Sequence, residues 1–457
     1  MALDGSAEDM QVLVSFVTKL SEELRVPEAA MAVPVSLKRL GLSQIINGLL
    51  GLDPARPFDF IINDQLLRKS LHQHVLDNEL SAESTLVVEY VPAVVPPKQQ
   101  RSMPHDDWVS AVGACPSRAS MLASGSYDGA LRLWRTAAGP GGELSVVATV
   151  PGAHGPGVTA LAWLPSTQGS GRLLLTAGKD HAVRLWQVDE ERGGATVRAV
   201  AEYAGHGDCV EGVAVSPGGD NFASCGWDGG LLLWRTGDAV VADAAEAGGE
   251  PAKKLRKGGG AKGAASTATP TASAAPLTEG PSGRLEGHLH CVSCATWPST
   301  GVLFSGGWDH SVRRWDVPTG VCTDTYNGSK ALHACAASSA SPDVVAFGGA
   351  DRALRLWDCR SRKGDALAVS AYTSHAGWIS GIAWSSANAH HLASCGHDGA
   401  VKLWDARGAV PLATLAAHSD KALCVAWMGG GGVASGGTDC KLSVFSHEAT
   451  AAAATAS

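Results

Sequence analysis

Six histidines in this chain each stand 21 to 26 residues before an aspartate, a pairing that general acid–base catalysis uses. They are His105, His154, His206, His288, His375 and His418, followed by Asp128, Asp180, Asp228, Asp309, Asp398 and Asp439. A seventh aspartate, Asp351, lacks its histidine. Each copy carries two further markers. A Ser or Thr stands four before the aspartate (Ser124, Thr176, Ser224, Ser305, Ser394, Ser435), and an aromatic stands six after it: Trp134, Trp186, Trp234, Trp315, Trp357, Trp404 and, last, Phe445. The histidines belong to different repeats and each has its own aspartate, so a shared metal or proton relay is not expected. A structural role is expected instead for the repeated residues, typified by His206, Ser224, Asp228 and Trp234. Cys291 and Cys294 form a CxxC, but residues three apart on a strand face opposite sides and no second pair follows, so no zinc site is expected. No glycine-rich phosphate loop precedes a helix, and no nucleophile has an evident base. Neither an enzyme nor a cofactor is expected.

Residues spaced this way need a repeated scaffold. Short alternating runs lie between the markers, among them Val158 to Trp163, Leu173 to Ala177 and Ala182 to Trp186. Apolar residues at every second position make half-buried strands. The seventh repeat lacks an outer strand of its own, because Ser446 to Ser457 is mostly Ala and Thr. That strand is expected from roughly Lys98 to Met103, before the first repeat, since a ring must cover its last edge. Repeat five, with Phe347 at the Ser position and no matching histidine, should be the least firmly braced. The recurring His, Ser or Thr, Asp and Trp resemble the WD-repeat family over residues 105 to 446. The resemblance implies a seven-bladed β-propeller in which these four residues tie each blade's turn to its strands.

Residues 11 to 91 carry another pattern. An alternating strand (Val12, Val14, Phe16) is followed by a second around Ala32 to Leu37, then by Leu42, Ile45, Ile46, Leu49 and Leu50 at helical spacing. Phe58 to Ile62, Leu66 to Leu71 and the strand Thr85 to Tyr90 complete a small α+β unit of the ubiquitin-like, β-grasp kind. It does not end in a diglycine but runs into Val91 to Pro97, a Pro-rich spacer, and so reads as a fixed docking module. The expected organisation is a ubiquitin-like domain at 1–91, a linker and closing strand at 92–104, a propeller at 105–446 with a disordered Gly, Ala and Thr-rich insertion at 237–283, and a flexible tail at 447–457.

Composition narrows the function. A net charge of -8 argues against a surface devoted to nucleic acid, and 14 tryptophans require packed cores. The 11 cysteines show no framework, no run of eighteen apolar residues occurs, and Met1 to Met10 is acidic where a secretory leader would be basic, so a soluble intracellular chain is expected. Lys253, Lys254, Arg256 and Lys257 within the insertion read as a nuclear localisation signal. The residues before the repeat aspartates, Tyr127, Trp227, Trp308 and His397, should gather at the rim of one face, where aromatics make interface hot spots.

Several runs carry a closer resemblance: Pro57-Phe58-Asp59-Phe60-Ile61-Ile62, Leu66-Leu67-Arg68, Leu86-Val87-Val88-Glu89-Tyr90 and His105-Asp106-Asp107-Trp108-Val109-Ser110. They look like the WD-repeat subunits of the nucleolar PeBoW complex. That resemblance implies a scaffold in maturation of the large ribosomal subunit, located in the nucleolus and nucleoplasm. Its partners would be a block-of-proliferation-type WD-repeat protein, pescadillo, pre-ribosomal particles and a midasin-type AAA ATPase. It further implies that Glu83, in Leu80 to Ser84, completes the coordination of the ATPase's MIDAS metal, as a carboxylate can for Mg²⁺. The Notchless-like assembly factors are similar but are expected to carry an eighth blade. Trp357-Asp358-Cys359-Arg360 and Trp404-Asp405-Ala406-Arg407 fit the WDxR box of cullin-type ubiquitin-ligase substrate receptors, the other alternative.

Overall fold

The alternation at Val12, Val14 and Phe16 buries one side of the first strand completely and leaves Leu13 on the other, exposed side. In the computed structural model this strand begins a mixed five-stranded sheet. The structure describes residues 10–63, 65–77, 85–93, 96–118, 120–136, 144–165, 172–191, 194–236, 277–338, 340–363, 366–408 and 410–446. The elements of the N-terminal unit are β1 (Gln11–Val17), β2 (Met31–Pro34), α1 (Arg39–Leu50), β3 (Phe58–Ile62), β4 (Gln65–Leu66), α2 (Leu71–Asp77) and β5 (Leu86–Pro92). The sheet order is β2-β1-β5-β3-β4, with β1 parallel to β5 and the other pairs antiparallel. Leu42 and Ile46 of α1 pack into the core formed by Val14, Phe16, Phe58, Phe60, Val88 and Tyr90. The helix stops at Gly51, whose φ of 61° is left-handed. Tyr90 is fully buried, and its hydroxyl donates to the Leu24 carbonyl at 2.6 Å while accepting the Val26 N–H at 2.9 Å.

Two sequence expectations change here. The apolar run Leu66 to Leu71 is not one element: β4 ends at Leu66 and α2 begins at Leu71. The second strand stops at Pro34 rather than Leu37, because Pro34 and Leu37 close a turn there.

Most of the chain beyond Pro96 forms a second compact unit. Beyond that point the fold is mainly β, with seven sheets of four or five strands following in chain order. Their first strands are Val109–Ala114, Val158–Trp163, Val210–Val215, Val292–Ser299, Leu332–Ala337, Ile379–Trp384 and Ala422–Trp427. Each lies beside the next, and the seventh lies beside the first. Neighbouring sheets bury large side chains between them. Leu175, Leu185 and Tyr203 of the second sheet meet Phe222 and Trp234 of the third. Leu122, Trp134 and Leu144 of the first meet Ala434, Leu442 and Val444 of the seventh.

The seventh sheet takes its outer strand from β6 (Lys98–Pro104), as the lack of apolar residues after Phe445 predicts. It pairs antiparallel with Lys441–Ser446, from Lys441 opposite Pro104 to Ser446 opposite Lys98. The expected insertion at 237–283 is too long at its far end. Leu277–Glu279 adds a parallel strand to Gly194–Ala204, and Gly283–Leu285 is the outer strand of the third sheet.

Candidate functional site

The four repeat markers meet inside each sheet. In the third, His206 Nδ1 lies 2.9 Å from the Asp228 carboxylate, His206 Nε2 lies 2.7 Å from Ser224 Oγ, and the Trp234 indole donates to that hydroxyl at 2.8 Å. The carboxylate accepts from Nδ1–H, which leaves Nε2 to accept from the serine and the serine to accept from the indole. The two ring nitrogens, the hydroxyl and the indole N–H of this set are thereby all used. Partial burial works against the Asp228 charge, but hydrogen bonds from His206, Gly207 and Gly230 hold its carboxyl well below the usual range. The same set recurs at His154, Thr176, Asp180 and Trp186 and at His288, Ser305, Asp309 and Trp315. His375 with Ser394 and Asp398, and His418 with Ser435 and Asp439, repeat its core. The first sheet differs. His105 bonds to Ser124 at 2.9 Å, but its Nδ1 faces the Met103 carbonyl, and Asp128 pairs with Arg132 at 2.8 Å. Burial, aided by the Arg132 charge, lowers the His105 pKa to about 4. Among the described residues no three His, Cys, Asp or Glu converge on a metal position. These sets brace turns.

Bracing the turns delivers other side chains to one shared opening. In all seven sheets the residue before the aspartate donates its backbone N–H to the residue that precedes the first strand: Tyr127 to Trp108, Lys179 to Gly157, Trp227 to Cys209, Trp308 to Cys291, Ala350 to Ala331, His397 to Trp378, Thr438 to Lys421. Tyr127, Trp227, Trp308 and His397 consequently line one opening of about 340 Å³. Trp108, Trp227, Trp308 and Trp378 remain 44%, 44%, 38% and 48% exposed. Trp227 and Trp308 stand edge to face at 4.7 Å, Trp308 meets His333 at 5.9 Å, and Trp378 stacks on His333 and His397 at 5.5 and 5.4 Å. Exposed indoles packed on one another in this way are what protein interfaces use as anchors.

Below the rings, the second residue of each first strand points into the same opening. Ser110, Thr159, Ser293 and Ser380 donate to the carbonyls of Val158, Val210, Leu332 and Ala422, each stapling its strand to the next. The other three positions hold Glu211, His333 and Leu423 and form no such staple. Glu211, His333, Trp378 and Lys179 join the site only in the structure, and Trp108, part of a run quoted above for its resemblance, joins them. Trp108 and Trp378 stand three residues after His105 and His375, and Lys179 stands directly before Asp180, which is the signal that could have found them.

The sequence comparisons agree with this arrangement. Residues 12–75 match the NLE (NUC135) domain family, and six segments match the WD domain, G-beta repeat: 97–135, 145–187, 198–235, 280–316, 367–405 and 409–446. A protein of Chlamydomonas reinhardtii described as a ribosome biogenesis protein WDR12 homolog is 52% identical, covering 97% of this chain and 99% of its own. Proteins of the same description from Oryza sativa subsp. japonica and Arabidopsis thaliana are 38% and 35% identical, covering 97% and 98% of this chain and 98% and 99% of their own. The chain belongs to the WDR12-type family of ribosome biogenesis proteins.

Membership in the WDR12-type family leaves one repeat unusual. The matched segments skip most of the fifth sheet, Leu332 to Thr373, where Phe347 replaces the serine. Phe347 is buried there, and the buried Trp357 indole N–H has no hydrogen-bond partner. Asp351 pairs instead with Arg355. The WDxR arginines fold back on their own boxes, Arg360 to Asp358 at 2.9 Å and Arg407 to Asp405 at 2.7 Å. Cys291 lines the opening, whereas the Cys294 thiol is buried and donates to the Gly306 carbonyl at 3.7 Å. All 11 cysteines are free thiols. No helix among the described residues is long and apolar enough to cross a membrane. Glu83 and Lys253, Lys254, Arg256 and Lys257 lie outside the described residues.

Proposed function

We propose that this member of the WDR12-type family is a non-catalytic scaffold in maturation of the large ribosomal subunit and its rRNA. We read its seven sheets as the blades of a closed propeller that holds a block-of-proliferation-type WD-repeat protein, and through it pescadillo and the pre-ribosomal particle. The observation that carries this is the aromatic opening: the exposed Trp227 and Trp308 line it, and the exposed Trp108 and Trp378 pack on its Tyr127, His333 and His397, while the acid–base pairs of the repeats are spent on bracing. In the N-terminal unit, the strand order β2-β1-β5-β3-β4 with parallel β1 and β5 supports a β-grasp reading. That unit would present Glu83 to the MIDAS metal of a midasin-type ATPase, whose movement then draws the scaffold off the particle. Lys253, Lys254, Arg256 and Lys257 would direct import, placing the protein in the nucleolus and nucleoplasm.

The test uses the full chain in affinity capture. The wild-type chain and a chain lacking residues 1–91 should retain the block-of-proliferation-type partner equally, while loss of that partner on truncation would place the interface on the wrong unit. Glu83→Gln in the full chain should abolish Mg²⁺-dependent capture of the MIDAS domain and leave the propeller's partner bound. A carboxylate ligates Mg²⁺ directly and an amide ligates it poorly, so unchanged capture would remove Glu83 from the mechanism.

A further inference from the structure

One carboxylate stands in the ring of second-position residues, and it is not used as its counterparts are. Four of those positions are hydroxyls committed to stapling strands. Glu211 instead takes the Trp227 indole N–H on Oε1 at 2.6 Å, with the Cys209 thiol 3.6 Å away. The cation that acts on it is Lys179, yet the Lys179 ammonium sits over the Tyr127 ring, 3.5 Å from its centroid. Burial pushes the Glu211 carboxyl up, the mark of a charge short of compensation. Trp227, Trp308 and His333, in contact with one another, line the same opening. An anion in an opening lined by π faces favours a cation twice over, through its charge and through the negative faces of the rings.

We propose that this opening receives an arginine side chain of a protein partner, its guanidinium hydrogen-bonded to Glu211 and lying against the Trp227–Trp308 pair. This rests on the reading of the propeller as the partner-holding unit and names the chemistry of the contact. Arginine fits better than lysine, because a planar, weakly hydrated guanidinium can stack on an indole and donate to a carboxylate together. A nucleic acid would also stack on these rings, but Glu211 would face its phosphates.

The direct probe is the blocked peptide acetyl-Gly-Arg-Gly-amide, titrated into the full chain and followed by tryptophan fluorescence and calorimetry. Its lysine and citrulline analogues serve as comparisons. The citrulline peptide, equal in shape but neutral, should bind about tenfold or more weakly than the arginine peptide, and the lysine peptide should fall between them. Glu211→Gln and Trp308→Ala should each weaken the arginine peptide by about tenfold while both variants keep the wild-type melting profile. If Trp308→Ala does not fold, Glu211→Gln and the peptide series decide alone. Citrulline binding equal to arginine, unchanged binding by Glu211→Gln, or no binding up to about 10 mM peptide overturns the proposal. So does an oligouridine that binds the wild type, is lost with Trp308→Ala and is kept with Glu211→Gln. Capture of the block-of-proliferation-type partner separates the two readings. Full capture by Glu211→Gln would sink the arginine contact and leave the scaffold standing, whereas failure of the wild-type chain to capture that partner would sink only the scaffold's assigned partner.

Discussion

A buried indole N–H is stabilising only where something accepts it, and this chain holds both cases in equivalent positions. Trp234 donates to Ser224 at 2.8 Å and packs against Tyr203 and Phe222. Trp357 occupies the same place in the fifth sheet against Phe304 and Tyr326, but with Phe347 where the acceptor should be, its N–H is buried and unpaired. Trp→Phe removes similar volume at both positions. At Trp234 it also removes a hydrogen bond, and at Trp357 it removes a polar group that folding had to desolvate without return. Trp234→Phe should therefore cost about 1–2 kcal/mol more than Trp357→Phe, read from the denaturant midpoints of the two variants. Equal losses would mean that the serine contributes packing and not hydrogen bonding. The fifth set is also where the sequence spoke most clearly, since a phenylalanine cannot do a serine's work.

At the scale of the element, the turn after each repeat aspartate obeys one backbone rule that the side chains obey only in part. The following residue has positive φ in all seven sheets: Gly129, Gly229 and Gly399, but also His181, His310, Arg352 and Cys440 at 57° to 68°. A side chain at such a φ is strained, so His181→Gly should stabilise the chain by about 0.5–1 kcal/mol, and Gly229→Ala should destabilise it by about as much. Thermal unfolding of the two variants checks both signs. Strands, braces and turns were legible because their markers recur at fixed offsets. The extra strand at Leu277–Glu279 was not, for it has three residues, follows a Gly and Ala-rich stretch and pairs parallel with a distant strand. The helix Leu71–Asp77 was missed for a similar reason: seven residues give too few turns for a period to show. In the candidate site, Tyr127, Trp227, Trp308 and His397 could be placed from the aspartate that each precedes. Glu211 could not, because a lone glutamate on an alternating strand has the same sequence signature as a solvated one.

At the largest scale, the question is what holds the seventh sheet against the first. The first strands return from the seventh sheet to the first, and Leu122, Trp134, Leu442 and Val444 bury one another across that junction. The seventh sheet would still present a bare edge along Lys441–Ser446 without β6, whose Met103 packs into the same cluster. Since β6 lies before the first sheet in the chain, its pairing with the last sheet joins the two ends through hydrogen bonds and not through packing alone. A chain beginning at Pro97 should therefore unfold cooperatively and remain monomeric, because it keeps every strand of the ring. A chain beginning at His105 loses six residue pairings, from Lys98 with Ser446 to Pro104 with Lys441. It exposes a strand edge that carries Leu442, Val444 and Phe445, an open template for pairing with another copy. It should melt at lower temperature and associate with rising concentration, as light scattering would detect, and adding back a peptide of residues 97–104 should reverse the association. Identical melting and a monomeric state for both chains would show that side-chain packing between the first and seventh sheets closes the ring without the strand.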